Sequence, residues 1–372
     1  MKSVLIIGAG LGGCAAAISF AQQGWKVTVV EKLTTIFTAG AGILLYSNAL
    51  KTLEHLNLLD QVLEGGASMK GNTVFLDSNS QVLGTVNYKP VDSKYPAYTG
   101  INRQLFLEIL FKRAVSLNVI FNFDTSVASC VQTDQSATVT CSNGTVFNNC
   151  DLVIVANGTN SNIRKALWPN ADSTYSGFGL WHSMHALHPR VTEKVTVVMP
   201  DRKFGIIPIS NKQMYIWGSV ANPNKTWIAR KDQPAVMAQE FESLTGFLKD
   251  IINELNEDSY VHYTSVEEVT LAGPWHIGRI VLLGDAAHAS LPFMAQGGAM
   301  AIQDALVLGD VCSRYINLND ALNEYKIKRK PVVDTIQQMC RNIGKSYTQS
   351  TVDLQKAQEG LDKFYGNTEF FN

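Results

Sequence analysis

The chain has 372 residues, 46% of them hydrophobic and 17% charged, with a formal net charge of -1. That is apolar material enough for a sizeable core in two domains or one elaborated domain. The near-neutral balance, with no basic tail, argues against nucleic acid or an anionic membrane as partner. Six cysteines (Cys14, Cys130, Cys141, Cys150, Cys312, Cys340) lack C-x-x-C spacing, which fits reduced thiols in a cytoplasmic protein better than a disulfide framework or a zinc site.

Residues 3–7 read as a buried parallel strand, 15–23 as a helix and 26–30 as a second strand. Lys2, the apolar residues 4–7 and Leu11-Gly12-Gly13-Cys14 imitate an export signal, but the apolar run is too short and too glycine-broken to be one. Between the strands, Gly8, Gly10 and Gly13 form G-x-G-x-x-G, and Glu31 follows Gly13 by 18 residues. The first glycine permits a tight turn, the second lets backbone approach a pyrophosphate, and the third lets helix and strand pack closely. The phosphates would sit at the helix N-terminus, near Leu11, where about half a positive charge is exposed. Glu31 would accept hydrogen bonds from ribose hydroxyls and repel a 2′-phosphate, with Lys32 beside it, so FAD or NAD is expected here and NADP is not.

Next come Ala39-Gly40-Ala41-Gly42-Ile43 and, from Asn48, a helix to about Leu56. Residues 74–76 and 82–88 look like a hairpin belonging to a second, sheet-rich domain. The chain returns at Ile101-Asn102-Arg103, where Arg103 opens a helix carrying Leu105, Ile109 and Leu110. Residues 119–147 alternate as strands with a turn at Ser142-Asn143-Gly144, and 151–156 form another buried strand ending in Asn157-Gly158-x-x-Ser161-x-x-Arg164. In the second domain, 178–186, 195–199, 204–209 and 213–220 read as strands, followed by helices near 234–245 and 247–255. His182, His185 and His188 do not suggest a metal site, because His182 and His185 would face opposite sides of a strand.

Residues 279–304 bring a strand (280–283), Gly284-Asp285, a loop with His288, Pro292, Phe293 and Met294, and a helix from Gln296-Gly297-Gly298 to about Cys312. A strand, a carboxylate at its tip and a glycine-marked helix start are a way to hold a polar ligand against backbone N–H groups. His288 is expected to pack beneath the Gly284-Asp285 loop. Helices are expected over 319–328 and 331–347, and a last one carries Leu354, Ala357, Leu361 and Phe364 on one face.

Three segments carry a resemblance: Gly8 to Gly13 with Glu31, Asn157-Gly158, and Gly284-Asp285 with Pro292, Gln296 and Gly297. They resemble the FAD-dependent aromatic hydroxylases built like para-hydroxybenzoate hydroxylase, over about residues 1–330. The resemblance implies an α/β fold with a Rossmann-like FAD-binding domain (1–70, 100–172, 270–330), an inserted sheet-rich substrate domain (71–99, 173–269) and C-terminal helices (331–372). It implies bound FAD and transient NADH or NADPH. Gly42 and Ile43 would face the flavin's pyrimidine side, Arg103 the pyrophosphate, Asp285 the ribityl chain, and Gly297 and Gly298 the flavin. The family has Asp-Gly where this chain has Asn157-Gly158, a lost charge that bears on the hydride donor. Ala295 replaces a glycine of the commonest wording.

The implied reaction is hydroxylation of a small planar aromatic or heteroaromatic substrate with O2, through a flavin C4a-hydroperoxide. Pro292, Phe293 and Met294 would form an apolar wall at the reacting centre, Pro292 and Gln296 would belong to its catalytic set, and Trp217, Phe293 and Met294 would meet the substrate. A base or polarising partner is expected among His182, Lys203 and Tyr215. Urate hydroxylases place an arginine and a tyrosine where, with Pro208 as anchor, this chain has Lys203 and Tyr215, and lysine is a poor substitute at a bidentate site. The Pro-Phe-Met-Ala-Gln-Gly wording instead resembles salicylate and 3-hydroxybenzoate hydroxylases. The alternatives are a relative acting on a polycyclic compound such as a tetracycline, an FAD-dependent reductase, and a flavin-less binding protein. A monomer or homodimer is expected.

Overall fold

The computed structural model describes residues 1–345 and 353–366. Two sheets organise it. The first has six strands in the order His276–Ile277, Ile280–Leu282, Leu152–Val155, Ser3–Ile7, Lys26–Val30 and Ile120–Asn122. All but the His276 strand run parallel. Ser3–Ile7, Leu152–Val155 and Ile280–Leu282 are almost wholly buried, as continuous Val/Ile/Leu runs covered on both faces must be. The helix Leu11–Gln22 packs on the helix Gly297–Arg314 over one side of this sheet, so the segments near the two ends of the sequence meet.

The second sheet has seven strands: Val261–Glu268, Thr174–Ala186, Gln213–Ala221, Arg202–Pro208, Lys194–Val198, Asn72–Leu76 and Val82–Asn87. The hairpin at 72–87 thus joins strands more than a hundred residues downstream, through a parallel pairing of Val195 with Val74. One face carries Trp181, Val195, Val197, Phe204, Ile206 and Ile216, packed with residues of the helices Gln233–Glu240 and Phe247–Asn253 in a core of their own. The opposite face turns toward the first sheet. Between them, a three-stranded piece (Gly42–Tyr46, Tyr98–Asn102, Ala67–Met69) links the two. The close approach needs Gly100, where a side chain would collide with the Pro208 carbonyl.

Several boundaries differ from expectation. The first helix starts at Leu11 rather than at residue 15, because Gly10 is its N-cap and Gly13 lies inside its first turn. The expected helices over 319–328 and 331–347 are one helix, Leu318–Lys345, with Pro331 in its interior. Proline there removes a backbone hydrogen bond at a cost of about 3 kcal/mol. Burial of Leu322, Tyr325, Val332, Val333 and Ile336 on both sides of it offsets that cost. The expected end near Tyr347 lies outside the described residues. The strand Val261–Glu268 and the helices Leu59–Gly65 and Asn162–Leu167 are additional. No described helix is long and apolar enough to cross a membrane.

Candidate active site

A cleft of about 370 Å³ lies between the two large sheets. On one wall, the Leu11–Gln22 helix begins at Gly10 with no side-chain cap, and its first internal bond is from the Cys14 N–H to the Gly10 carbonyl. The N–H groups of Leu11, Gly12 and Gly13 therefore have no partner within the helix. Tight packing puts this helix end there. A side chain on Gly13 would overlap the Gly8 carbonyl, and Gly8 itself, at φ +105°, lies against Ala156. Glu31 holds the turn from below, accepting from the Ala9 N–H at 2.8 Å and the Leu33 N–H at 3.0 Å.

The second helix start repeats the arrangement. Gln296 caps the Gly297–Arg314 helix without a side-chain cap bond, and Met300 N–H is the first to bond back, to the Gln296 carbonyl. Added side-chain carbons on Gly10, Gly158 and Gly297 would meet nothing within 4 Å. Bare backbone thus borders open space at three places. Arg103 reaches in from the other side, its Nε donating to Thr38 Oγ1 at 2.9 Å. Burial lowers its pKa, and the field of Asp285 opposes that lowering without a salt bridge being formed among the described residues. Two uncapped helix starts and a desolvated guanidinium suit an extended anion carrying a pyrophosphate, and so fit FAD.

The opposite wall is the inner face of the seven-stranded sheet. His182 pairs with Trp217 and Met184 with Tyr215 across neighbouring strands, so these residues share one face. The Tyr215 ring lies flat on Gly42, where a side-chain carbon would come within 2.2 Å of it. Trp217 covers Gly205 in the same way. Burial pushes the Tyr215 hydroxyl up, keeping it a phenol. Burial, with Arg103 and His262 nearby, pushes His182 down to about 3, and among the described residues its Nδ1 has no hydrogen-bond partner.

A histidine whose folded pKa is depressed binds its proton more readily when unfolded. Stability therefore falls as pH drops from about 6.5 toward 3. His182→Gln is expected to be less sensitive to acid than the wild type across that window. Thermal unfolding at pH 7, 5.5 and 4 measures this, and equal slopes for the two proteins would refute it.

Of the residues singled out by sequence, Gly10, Leu11, Gly42, Ile43 and Arg103 border the cleft on one side. Asp285, Pro292, Phe293, Gly297 and Gly298 border it on the other, and His182, Tyr215 and Trp217 form its sheet wall. Gly8, Gly13 and Glu31 shape the turn behind it, and Lys32 is exposed next to Glu31. Three of these residues stand apart from the cleft lining. Lys203 shares the sheet face but does not border the cleft, because its Nζ donates to the Met199 carbonyl at 3.1 Å and Trp217 covers Gly205, on the cleft side of it. Met294 is buried in the core rather than lining the wall. Gln296 turns its amide away, its Nε2 donating to Tyr365 and its Oε1 accepting from Asn48. Lys194 was not anticipated. It borders the cleft from the first position of its strand, which the sequence reading began one residue late.

His288 lies beneath the Gly284-Asp285 loop, as expected, with Nε2 2.5 Å from Asp304 Oδ2. Asp304 also accepts from the Gly284 N–H at 3.2 Å and from Arg329 Nε at 2.7 Å.

A family model described as an FAD binding domain matches residues 1–340. The "Putative FAD-dependent monooxygenase YetM" of Bacillus subtilis (strain 168) is 29% identical over 92% of this chain and 93% of its own length. The FAD-dependent urate hydroxylase of Mycolicibacterium vanbaalenii is 28% identical over 82% of this chain and 78% of its own. The fold matches that of Klebsiella pneumoniae HpxO complexed with FAD and uric acid, with a TM-score of 0.84 at 22% identity over 98% of this chain and 93% of that one. The chain belongs to the FAD binding domain family and is an FAD-dependent monooxygenase of the aromatic hydroxylase type.

Proposed function

We propose that this protein uses NADH or NADPH and O2 to hydroxylate a small planar aromatic or heteroaromatic compound held between the cofactor and the inner face of the seven-stranded sheet. The observation that carries the reading is the pairing of an anion-holding wall with an aromatic one across a single cleft. FAD, when bound and reduced, supplies the activation of O2 from which one oxygen atom passes to the ring. Arg103 and the N–H groups of Leu11 and Gly12 hold the pyrophosphate, Asp285 the ribityl hydroxyls, and the N–H groups of Gly297 and Gly298 the electron-rich edge of the ring system. Pro292 and Phe293 exclude water from the reacting face, the Phe293 ring meeting Phe178 edge-on at 5.3 Å. Tyr215 donates a hydrogen bond from its hydroxyl to a ring hydroxyl or carbonyl of the substrate, and Nδ1 of neutral His182, without a partner among the described residues, supplies a second hydrogen-bonding position. Lys203 has no part in this arrangement.

The test is stopped-flow reduction of the bound flavin by NADH and by NADPH across phenols, aromatic acids, purines and quinolones, followed by product analysis under ¹⁸O2. One compound class is expected to accelerate reduction and to acquire one labelled oxygen. Reduction indifferent to every aromatic, with all oxygen recovered as hydrogen peroxide, would leave a reductase or oxidase instead.

A further inference from the structure

The sheet face bordering the cleft carries two lysines in different circumstances. On the strand Lys194–Val198, Val195 and Val197 point into the outer core, so Lys194, Thr196 and Val198 point the other way. Pairing of Val198 with Lys203 and of Thr196 with Gly205 puts Lys203 on that same face. Lys203 is spent on the Met199 carbonyl. Lys194 borders the cleft, its Nζ donating to the Tyr46 hydroxyl at 3.2 Å and lying 5.8 Å from the centre of that ring. Among the described residues no carboxylate pairs with it. Its neighbour Glu193 is turned aside to accept from the Lys70 N–H. Leu44, Ile207 and Tyr215 border the cleft nearby and offer a flat apolar seat.

A half-buried ammonium whose partners are a neutral hydroxyl and a ring face keeps much of its capacity to bind an anion. Asp285 is the carboxylate bordering the cleft, and it stands on the helix-start side of it rather than on the sheet. We propose that Lys194 is the specificity-determining cation of this site, pairing with an anionic oxygen group on an aromatic ring seated against Tyr215 and Ile207. The assignment rests on the aromatic-hydroxylase reading above and narrows it to acidic aromatics. It also explains how the site can recognise an anion although Lys203 is turned away.

The test uses the purified flavin-containing protein and ligand pairs matched in shape but not in charge: benzoate with benzamide, and 4-nitrophenolate with 4-nitroanisole. Binding is followed by perturbation of the flavin's visible spectrum and by calorimetry. The wild type is expected to prefer the charged member of at least one pair by about 10-fold or more, the scale of one charge-assisted hydrogen bond. The pair showing it tells carboxylate from phenolate. Lys194→Met should abolish the preference, Lys194→Arg should keep most of it, and Lys203→Met should leave it as in the wild type. A yellow wild-type protein blind to charge in both pairs, or binding none of the four ligands, overturns the assignment whether or not the variants fold. A preference that survives Lys194→Met, or is lost in Lys203→Met, overturns it too. A wild-type protein unable to hold FAD overturns the underlying reading first, and the Lys194 role with it.

Discussion

Replacing Asp304 with alanine is expected to destabilise the protein by about 3–5 kcal/mol, the usual cost of stranding a buried charge. Asp304 is fully buried on the Gly297–Arg314 helix and binds three groups from three directions. Arg329, from the Leu318–Lys345 helix, is itself 3% exposed and donates to Gln303 as well. Without Asp304 its guanidinium would remain in the core with one amide oxygen for company. Asp304→Asn should cost less than alanine, since it keeps an acceptor for Arg329 or Gly284 but loses the charge. Urea unfolding read by tryptophan fluorescence measures both. An alanine variant within about 1 kcal/mol of wild type would mean that the network contributes nothing net.

The same residue predicts an acid limit. Burial alone would raise the Asp304 pKa, but His288 and Arg329 more than offset it and hold the carboxyl at about 2, below its ordinary 3.8. A depressed carboxylate contributes stability that is complete above the unfolded value and disappears as pH falls through the folded one. The Asp304 contribution should therefore persist to about pH 4 and fade between there and 2. Asp304→Asn should lack that decline. The functional consequence is positional, because the Gly284 N–H held by Asp304 precedes Asp285 at the cleft's edge.

The nucleotide half of the site was legible because its residues are local and conformationally demanding. Three glycines, two strands and an acid within residues 3–31 leave few ways to fold, and the Gly284-Asp285 segment repeats the pattern at a second strand end. The substrate half was not, because it depends on cross-strand register and on where long side chains end. Pro208 as anchor placed Lys203 and Tyr215 on adjacent strands; the structure puts them on the same face but four residue pairs apart, Tyr215 opposite Ile207 and Lys203 opposite Ser219. Trp217 lies over the intervening Gly205, a packing that no periodicity reveals. Lys194 could have been found, since extending the alternation of Thr196 and Val198 back by one residue pair puts it on the cleft face. The continuous helix through Pro331 was hidden for another reason. Local propensity favours a break there, and long-range burial of Tyr325, Val332 and Ile336 outweighs it.

Arg103→Met should yield a folded protein that loses its yellow colour on gel filtration. Asn102 caps the helix that starts at Arg103, accepting from the Leu105 N–H at 3.0 Å, so the backbone there does not depend on the guanidinium. Removing the charge relieves the desolvation that lowers the Arg103 pKa, and the apoprotein should be as stable as the wild-type apoprotein or slightly more so. The loss falls on the ligand. Hydrogen bonds from a charged donor contribute about 1.5–3 kcal/mol, so FAD affinity should weaken roughly 10- to 150-fold. Lysine at this position should recover part of it, being a cation without the planar fork. The ratio of flavin to protein absorbance after dialysis, with apoprotein melting measured alongside, separates the two effects. Full flavin retention in Arg103→Met would show that the helix start at Leu11 suffices to hold the pyrophosphate and that Arg103 serves the packing around Thr38 and Gly40. A parallel fall in apoprotein stability would show the same dependence from the structural side.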